Sequence, residues 1–305
     1  MGRQLADILK EELFCILVGN QLGDTPQKAI AAGAEKVYTV EDPLLADYQT
    51  DSYIIAMENA VKEISPRIIL IGQTSMGRDL APRLAFRLGV GLAMDTVELS
   101  IDPQTSLLQE IKPVYGGNAR AIFVSETLPQ IATVRSKAMT PLTPDASRKG
   151  EILPLKIALD PAQIRTKVLQ TVKEELAGIK LEDAGTVVCG GRGIGGPEGF
   201  KQLEELAKML KGAVGASRPP CDNGWVPDTM QVGLTGKIVA PELYIAIGLS
   251  GSSQHIAGCS GSKNIIAINK DAEANIFKES RFGVVGDWKQ VLPAFVEKVK
   301  ELLAG

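Results

Sequence analysis

One histidine, His255, is all the chain has, and its four cysteines, Cys15, Cys189, Cys221 and Cys259, lie far apart with no CxxC pair among them. Zinc and iron–sulfur centres built from local ligand pairs are thereby excluded, and the cysteines read as packing thiols. Neither sign of charge dominates, since 33 Lys+Arg against 36 Asp+Glu leave a net −3. No footprint for nucleic acid or an anionic membrane results. Long apolar runs are missing too: FCILVG and RIILIG are far shorter than the ~20 residues a membrane span needs. The opening MGRQLADILKEEL mixes acids and a lysine into its apolar residues, as an amphipathic helix does and a signal peptide does not. A soluble protein of a reducing, cytoplasmic compartment is expected, with no metal, no nucleic acid and no membrane insertion.

What is present is core-forming material, 45% apolar residues over 305 positions, enough for two domains at roughly 150 residues each. Helix-like and strand-like stretches alternate from the start: helix 1–13, strand 14–19, a helix from Asp24-Thr25-Pro26 through Ala32, strand 36–40, helix 51–64, strand 67–72, helix 77–88. Short apolar strands between helices predict a parallel sheet. Over 91–135 strands follow one another between turns (GLAMDTVELSIDP, LLQEIKPVYGG, ARAIFVS, QIATVRS), predicting an antiparallel edge on that sheet. PLTPDASRKGE (141–151) reads as a linker and 152–183 as an arm, which places the domains at 1–183 and 184–305. The α/β rhythm then resumes with strands TVVCG, AVGAS, ELYIAIG, NIIAINK and RFGVVGD, a helix Gly199–Lys211 stopped by Gly212, and a closing helix from Trp288 whose buried stripe is Leu292, Phe295, Val299 and Leu302.

The chemistry gathers after those strands. GGRGIGG follows TVVCG, where glycines let backbone approach a pyrophosphate or simply make a tight turn. SRPPCDNGWVPDTMQVGLTGK (217–237) is a long polar loop inside a compact domain, which is usually functional. LSGSSQHIAG (249–258) turns from strand to helix with amides and hydroxyls suited to phosphate oxygens. Plainer readings stand beside these. His255 fits a helix-start cap or core edge, Arg218 and Arg192 fit surface charges, Thr235 a turn with Gly236, Asn269 and Asp271 a strand-end turn, and Asp287 an N-cap.

The run SRPPCDNGWVPDTMQVGLTGKIVAPELYIAIGLSGSSQHIAG, with SKNIIAINKD and FGVVGDW after it, resembles the α subunit of electron transfer flavoproteins. The likeness is strongest over 184–303 and continues more loosely through GRDLAPRLAFRLGVGLAMD and LDPAQIRTKVLQ. It departs at Leu234, where glutamine is common, and at Ser252-Ser253, where many members carry small or aliphatic residues. The resemblance implies an N-terminal nucleotide-binding-like α/β domain, whose leading strand would lie before Met1, and a C-terminal doubly wound parallel-sheet domain holding one FAD. A β subunit would complete a heterodimer.

By matching motifs, the resemblance puts Arg192 near the adenosine or diphosphate and Arg218, after Ser217, against the isoalloxazine ring. Val232, Gly233, Leu234 and Thr235, after Gln231, line the ring's reactive edge, with the Thr235 hydroxyl a donor. Ser250, Gly251, Ser252, Ser253, Gln254 and His255 wrap the diphosphate and the pyrimidine edge, His255 as a donor. Asn269 and Lys270 serve the diphosphate and ribose, Asp287 and Trp288 the adenosine end. The function implied is electron carriage from a flavin dehydrogenase such as an acyl-CoA dehydrogenase to an acceptor such as a quinone reductase or ferredoxin. No catalytic acid or base is expected. The rival inside the family is flavin-based bifurcation with NADH. The rivals outside it are a non-redox nucleotide-binding module, which has no need of donors around a ring, and a self-contained flavin oxidoreductase, for which no acid–base constellation is found.

Overall fold

The structure is a computed structural model that describes residues 1–115, 119–172 and 178–304. The end of the expected strand LLQEIKPVYGG and residues 173–177 of the expected arm lie outside the described residues. The chain forms two compact units, one from Met1–Val114 with Ala119–Val172 and the other taking in the chain from Lys173 on.

The first unit runs α1 (Gly2–Leu9), β1 (Phe14–Gly19), α2 (Thr25–Ala31), β2 (Lys36–Glu41), α3 (Thr50–Ile64), β3 (Ile68–Gly72), α4 (Ser75–Leu88), β4 (Leu92–Thr96), β5 (Glu98–Ile101), β6 (Leu108–Val114), β7 (Ala119–Val124), β8 (Gln130–Val134) and β9 (Glu151–Pro154). α3 and α4 bury Ile54, Ile55, Val61, Leu80 and Leu84 against Ile69 and Ile131 of the strands. The expected antiparallel edge over 91–135 is corrected. β8 lies between β3 and β4 and runs parallel to both, while β5, β6 and β7 form an antiparallel sheet of their own. Strand periodicity does not encode direction. Parallel neighbours need a long crossover, and the β5–β7 meander supplies it between β4 and β8. The supposed linker and arm also contribute a strand, because β9 pairs parallel with β2, Ile152 opposite Val37.

Among the described residues β1 pairs only with β2, and β3 only with β8. Both strands wall one groove of about 890 Å³, with Phe14 and Ile16 from β1, Ile69 and Ile71 from β3, and Leu5 and Leu9 from α1.

Glu110 of β6 is 2% exposed, and its Oε1 has no hydrogen-bond partner. Burial pushes its carboxyl up to about 7. A folded value above the unfolded one means the native state holds the proton more tightly. Stability therefore falls as pH rises from the unfolded range through 7, by about 3 kcal/mol in all. Glu110→Gln is expected to raise the urea midpoint of the first unfolding transition at pH 8 and to leave it nearly unchanged at pH 4. Equal shifts at both pH values would place the carboxylate in water.

The second unit runs β10 (Thr186–Gly190), α5 (Pro197–Met209), β11 (Ala213–Ala216), α6 (Arg218–Asp222), β12 (Leu243–Ile247), α7 (Ser253–Cys259), β13 (Asn264–Asn269), β14 (Phe282–Val285) and α8 (Trp288–Ala304). Its strands lie in the order β11-β10-β12-β13-β14, all parallel. Alternate residues serve opposite faces. Val187, Cys189, Tyr244, Ala246 and Ala267 meet α7 through Ile256 and Cys259. Val188, Ile245, Ile247 and Ile268 meet α5 through Phe200, Leu203 and Leu206, and α8 through Leu292. A sheet covered on both faces explains why the strands are continuously apolar rather than alternating. Two details differ from expectation. α5 ends before a left-handed Lys211 (φ 50°), one residue ahead of Gly212, and Leu302 of the closing helix is exposed.

Candidate functional site

Gly190, Ala216, Ile247 and Ile268 stand level in the register at the C-terminal edge of the second unit's sheet. The loops that leave those strands therefore emerge together, where β10 and β12 send their connections to opposite sides. Such a switch point is the ligand crevice of doubly wound sheets. A cleft of about 820 Å³ opens there, within the range of about 300–1,000 Å³ usual for small-molecule sites.

The first wall follows β10. Gly191 takes the chain so close to the β12 loop that a Cβ on it would lie 2.1 Å from the Gly248 carbonyl oxygen, and Arg192 follows on the cleft. From β11 the chain enters α6. Ser217, buried, donates its N–H to the Gly190 carbonyl at 3.0 Å, and Arg218 reaches Asp222 one turn on, 3.1 Å away.

A tight turn after α6 brings Gln231, Val232, Gly233, Leu234 and Thr235 to the cleft. The Val232 N–H donates to Ala216, the Gly233 N–H to Lys237 and the Leu234 N–H to Gln254, at 2.8, 3.1 and 2.8 Å. Gln231 Nε2 donates to Thr235 Oγ1 at 2.9 Å, which leaves the Thr235 hydroxyl proton for another acceptor. α7 presses on this turn. A Cβ on Gly258 would stand 2.4 Å from the Gly233 nitrogen, so only glycine permits the approach.

From β12 come Ser250, Gly251, Ser252, Gln254 and His255, and from β13 Asn269 and Lys270. Asn269 donates from Nδ2 to the Leu249 carbonyl at 2.7 Å and accepts from the Asp271 N–H at 3.0 Å. Its side chain ties two cleft loops together, so the strand-end turn is real. His255 differs from the expected ligand donor. Both ring nitrogens meet protein atoms, Nδ1 the Val232 carbonyl and Nε2 the Tyr244 hydroxyl, each at 3.0 Å, and burial brings its pKa down to about 4.

Three expected residues are not on the cleft. Ser253, between the lining residues Ser252 and Gln254, does not itself line it. Asp287 accepts from the Lys289 N–H at 3.0 Å, a capping bond at the start of α8. Trp288 is buried, with its indole N–H donating to the Gly193 carbonyl at 3.0 Å. That bond makes Trp288 a support beneath the Arg192 loop. Conversely, Asp222 and Asp271 line the cleft and were not foreseen. The Arg218–Asp222 spacing of four residues in a short helix was the available signal.

Residues 1–159 match the family model described as the electron transfer flavoprotein domain, and residues 180–260 match that of the electron transfer flavoprotein FAD-binding domain. An electron transfer flavoprotein subunit alpha of Thermoanaerobacterium thermosaccharolyticum is 44% identical over 302 residues, covering 99% of this chain and 91% of that one. The chain belongs to the electron transfer flavoprotein alpha-subunit family. The subunit alpha of Megasphaera elsdenii is 42% identical over 98% of this chain and 90% of its own. The protein named FixB in Azotobacter vinelandii is 38% identical over 99% and 85%.

The second unit is accordingly the FAD-binding domain of an electron-transfer flavoprotein, and the cleft suits that cofactor. Arg192, Arg218 and Lys270 line it against two carboxylates, Asp222 and Asp271. Among the described residues Arg192 and Lys270 have no ion-pair partner, so two cations remain for a diphosphate. The close backbone contacts of Gly191 with Gly248 and of Gly258 with Gly233 hold the cleft loops against one another. Among the described residues no cluster could hold a metal ion, and no helix is long and apolar enough to cross a membrane.

Proposed function

We propose that this chain is the FAD-holding partner in a cytoplasmic heterodimer with an electron transfer flavoprotein β subunit. It takes electrons from a flavin dehydrogenase such as an acyl-CoA dehydrogenase and passes them to a downstream acceptor such as a quinone reductase or ferredoxin. The observation that carries this reading is the chemistry of the cleft, which brings Arg192, Arg218 and Lys270 together with hydroxyl and amide donors. Its one histidine is buried, with both nitrogens engaged by protein. Such a wall binds and orients a redox cofactor without performing acid–base chemistry on a substrate. FAD when bound supplies the electron-accepting and electron-donating ring. Arg192 and Lys270 hold the diphosphate, Arg218 places a fixed positive charge at the cleft mouth, and the Thr235 hydroxyl offers a proton to the ring edge.

The test is a visible spectrum of the purified heterodimer with flavin counted after extraction. One FAD per heterodimer is expected, reducible by substrate in the presence of an acyl-CoA dehydrogenase. Two flavins with reduction by NADH would replace this reading with bifurcation.

A further inference from the structure

Beneath the turn from Val232 to Thr235 lies a chain of buried polar groups that starts outside the cleft. Tyr244, on β12, is fully buried, and its ring centroid is 6.2 Å from that of His255. Its hydroxyl is 3.0 Å from His255 Nε2, and His255 Nδ1 is 3.0 Å from the Val232 carbonyl oxygen. A carbonyl only accepts, so Nδ1 carries a proton. The neutral ring has no second proton, so Nε2 accepts and the Tyr244 hydroxyl donates. Tyr244 remains a donor at any working pH, because burial raises its pKa well above the usual value. Every hydrogen in the chain therefore points the same way, from Tyr244 through His255 to Val232.

We propose that Tyr244 is a positioning residue for the flavin edge of the cleft: the Val232 carbonyl fixes His255 as the Nδ1–H tautomer, and the Tyr244 hydroxyl, donating to Nε2, holds the ring where that proton ties down Val232 and so sets where Thr235 presents its hydroxyl. The inference rests on the cleft being the FAD site. The same turn is held by the Leu234 N–H on the Gln254 carbonyl, so its two ends are anchored to α7 and its tip is left for the ligand. In the other tautomer the Nδ1 lone pair would face the Val232 carbonyl oxygen, two acceptors 3.0 Å apart, and the turn would be pushed outward. Without the hydroxyl, the buried Nε2 loses its donor and only the Val232 bond holds the ring.

His255 is the only histidine of the chain, so imidazole ¹⁵N labelling of this subunit reports one residue. In the FAD-loaded wild type the spectrum is expected to show a protonated Nδ1 and an unprotonated Nε2. Tyr244→Phe keeps the ring volume and removes the donor. It is expected to keep the Nδ1–H form while shifting the Nε2 resonance as that nitrogen loses its donor, to raise the FAD dissociation constant about tenfold (about 1.4 kcal/mol), and to shift the flavin's visible absorption. Protonation of Nε2 in the wild type overturns the proposal, as does a variant whose flavin spectrum and FAD affinity match the wild type. Should the variant not fold, the wild-type spectrum with and without FAD decides. A ring that stays Nδ1–H supports the proposal, and one that moves its proton to Nε2 when FAD binds overturns it. Failure of the wild type to bind FAD at all would overturn the site itself, a result separable from both.

Discussion

Gly258→Ala should strip the protein of its flavin. The added methyl would have its carbon 2.4 Å from the Gly233 nitrogen and 2.5 Å from its Cα, and both are backbone atoms of a turn already held by several hydrogen bonds. No rotamer relieves such a contact, so either α7 or the turn must move. Overpacking against side chains costs ~1–3 kcal/mol, and against fixed backbone the upper end applies, equivalent to about a hundredfold in FAD affinity. Gly185→Ala is the control, because a Cβ there has nothing within 4 Å, and it should change stability by no more than about 0.5 kcal/mol. The measurement is FAD retained through gel filtration together with the urea midpoint. Wild-type retention in Gly258→Ala would mean that the turn is not part of the binding surface.

Arg218→Ala carries the next largest effect, a loss of FAD affinity of about tenfold and a fall in the bound flavin's midpoint potential. The guanidinium lies at the cleft but is well exposed, 68% for its side chain, and it pairs with Asp222. Removing it subtracts a positive charge and also leaves the Asp222 carboxylate uncompensated beside a cofactor that gains negative charge on reduction. Both changes act in the same direction. Arg218→Lys should restore only part, since a compact ammonium lacks the planar fork that spans a carboxylate and a ring together. The double variant Arg218→Ala with Asp222→Ala separates the two contributions. Recovery of most of the potential identifies the bared carboxylate as the cause, and no recovery assigns the effect to the guanidinium. A potential and affinity unchanged in Arg218→Ala would return this residue to the protein surface.

The second unit was legible from sequence because its strands are short apolar runs followed directly by the loops that matter. Level strand ends do the rest: once TVVCG, AVGAS, ELYIAIG and NIIAINK are strands of one parallel sheet, their following residues have to meet. What was not legible depended on partners distant in sequence. His255 reads as a ligand donor from its neighbours SGSSQ, yet its bonding is decided by Tyr244, eleven residues earlier on the adjacent strand, and by Val232, twenty-three residues earlier in a turn. Asp287 and Trp288 sit at the start of a helix, where a capping bond to the Lys289 N–H and an indole bond to the Gly193 carbonyl depend on the fold around them. In the first unit, β4 and β8 were readable as strands but not as parallel ones, since direction is settled by where the intervening meander delivers the chain.

The groove between β1 and β3 has a consequence for how that unit behaves in solution. Each wall is a strand edge with a row of backbone donors and acceptors that no described strand satisfies, and the lining between them is largely apolar. Parallel sheets of this kind are normally closed to water on both faces, and an open edge is a template for pairing. A strand laid parallel between β1 and β3 would satisfy both rows at once and fuse two three-stranded sheets into one continuous sheet. Until something does so, the first unit keeps two open strand edges facing one largely apolar groove.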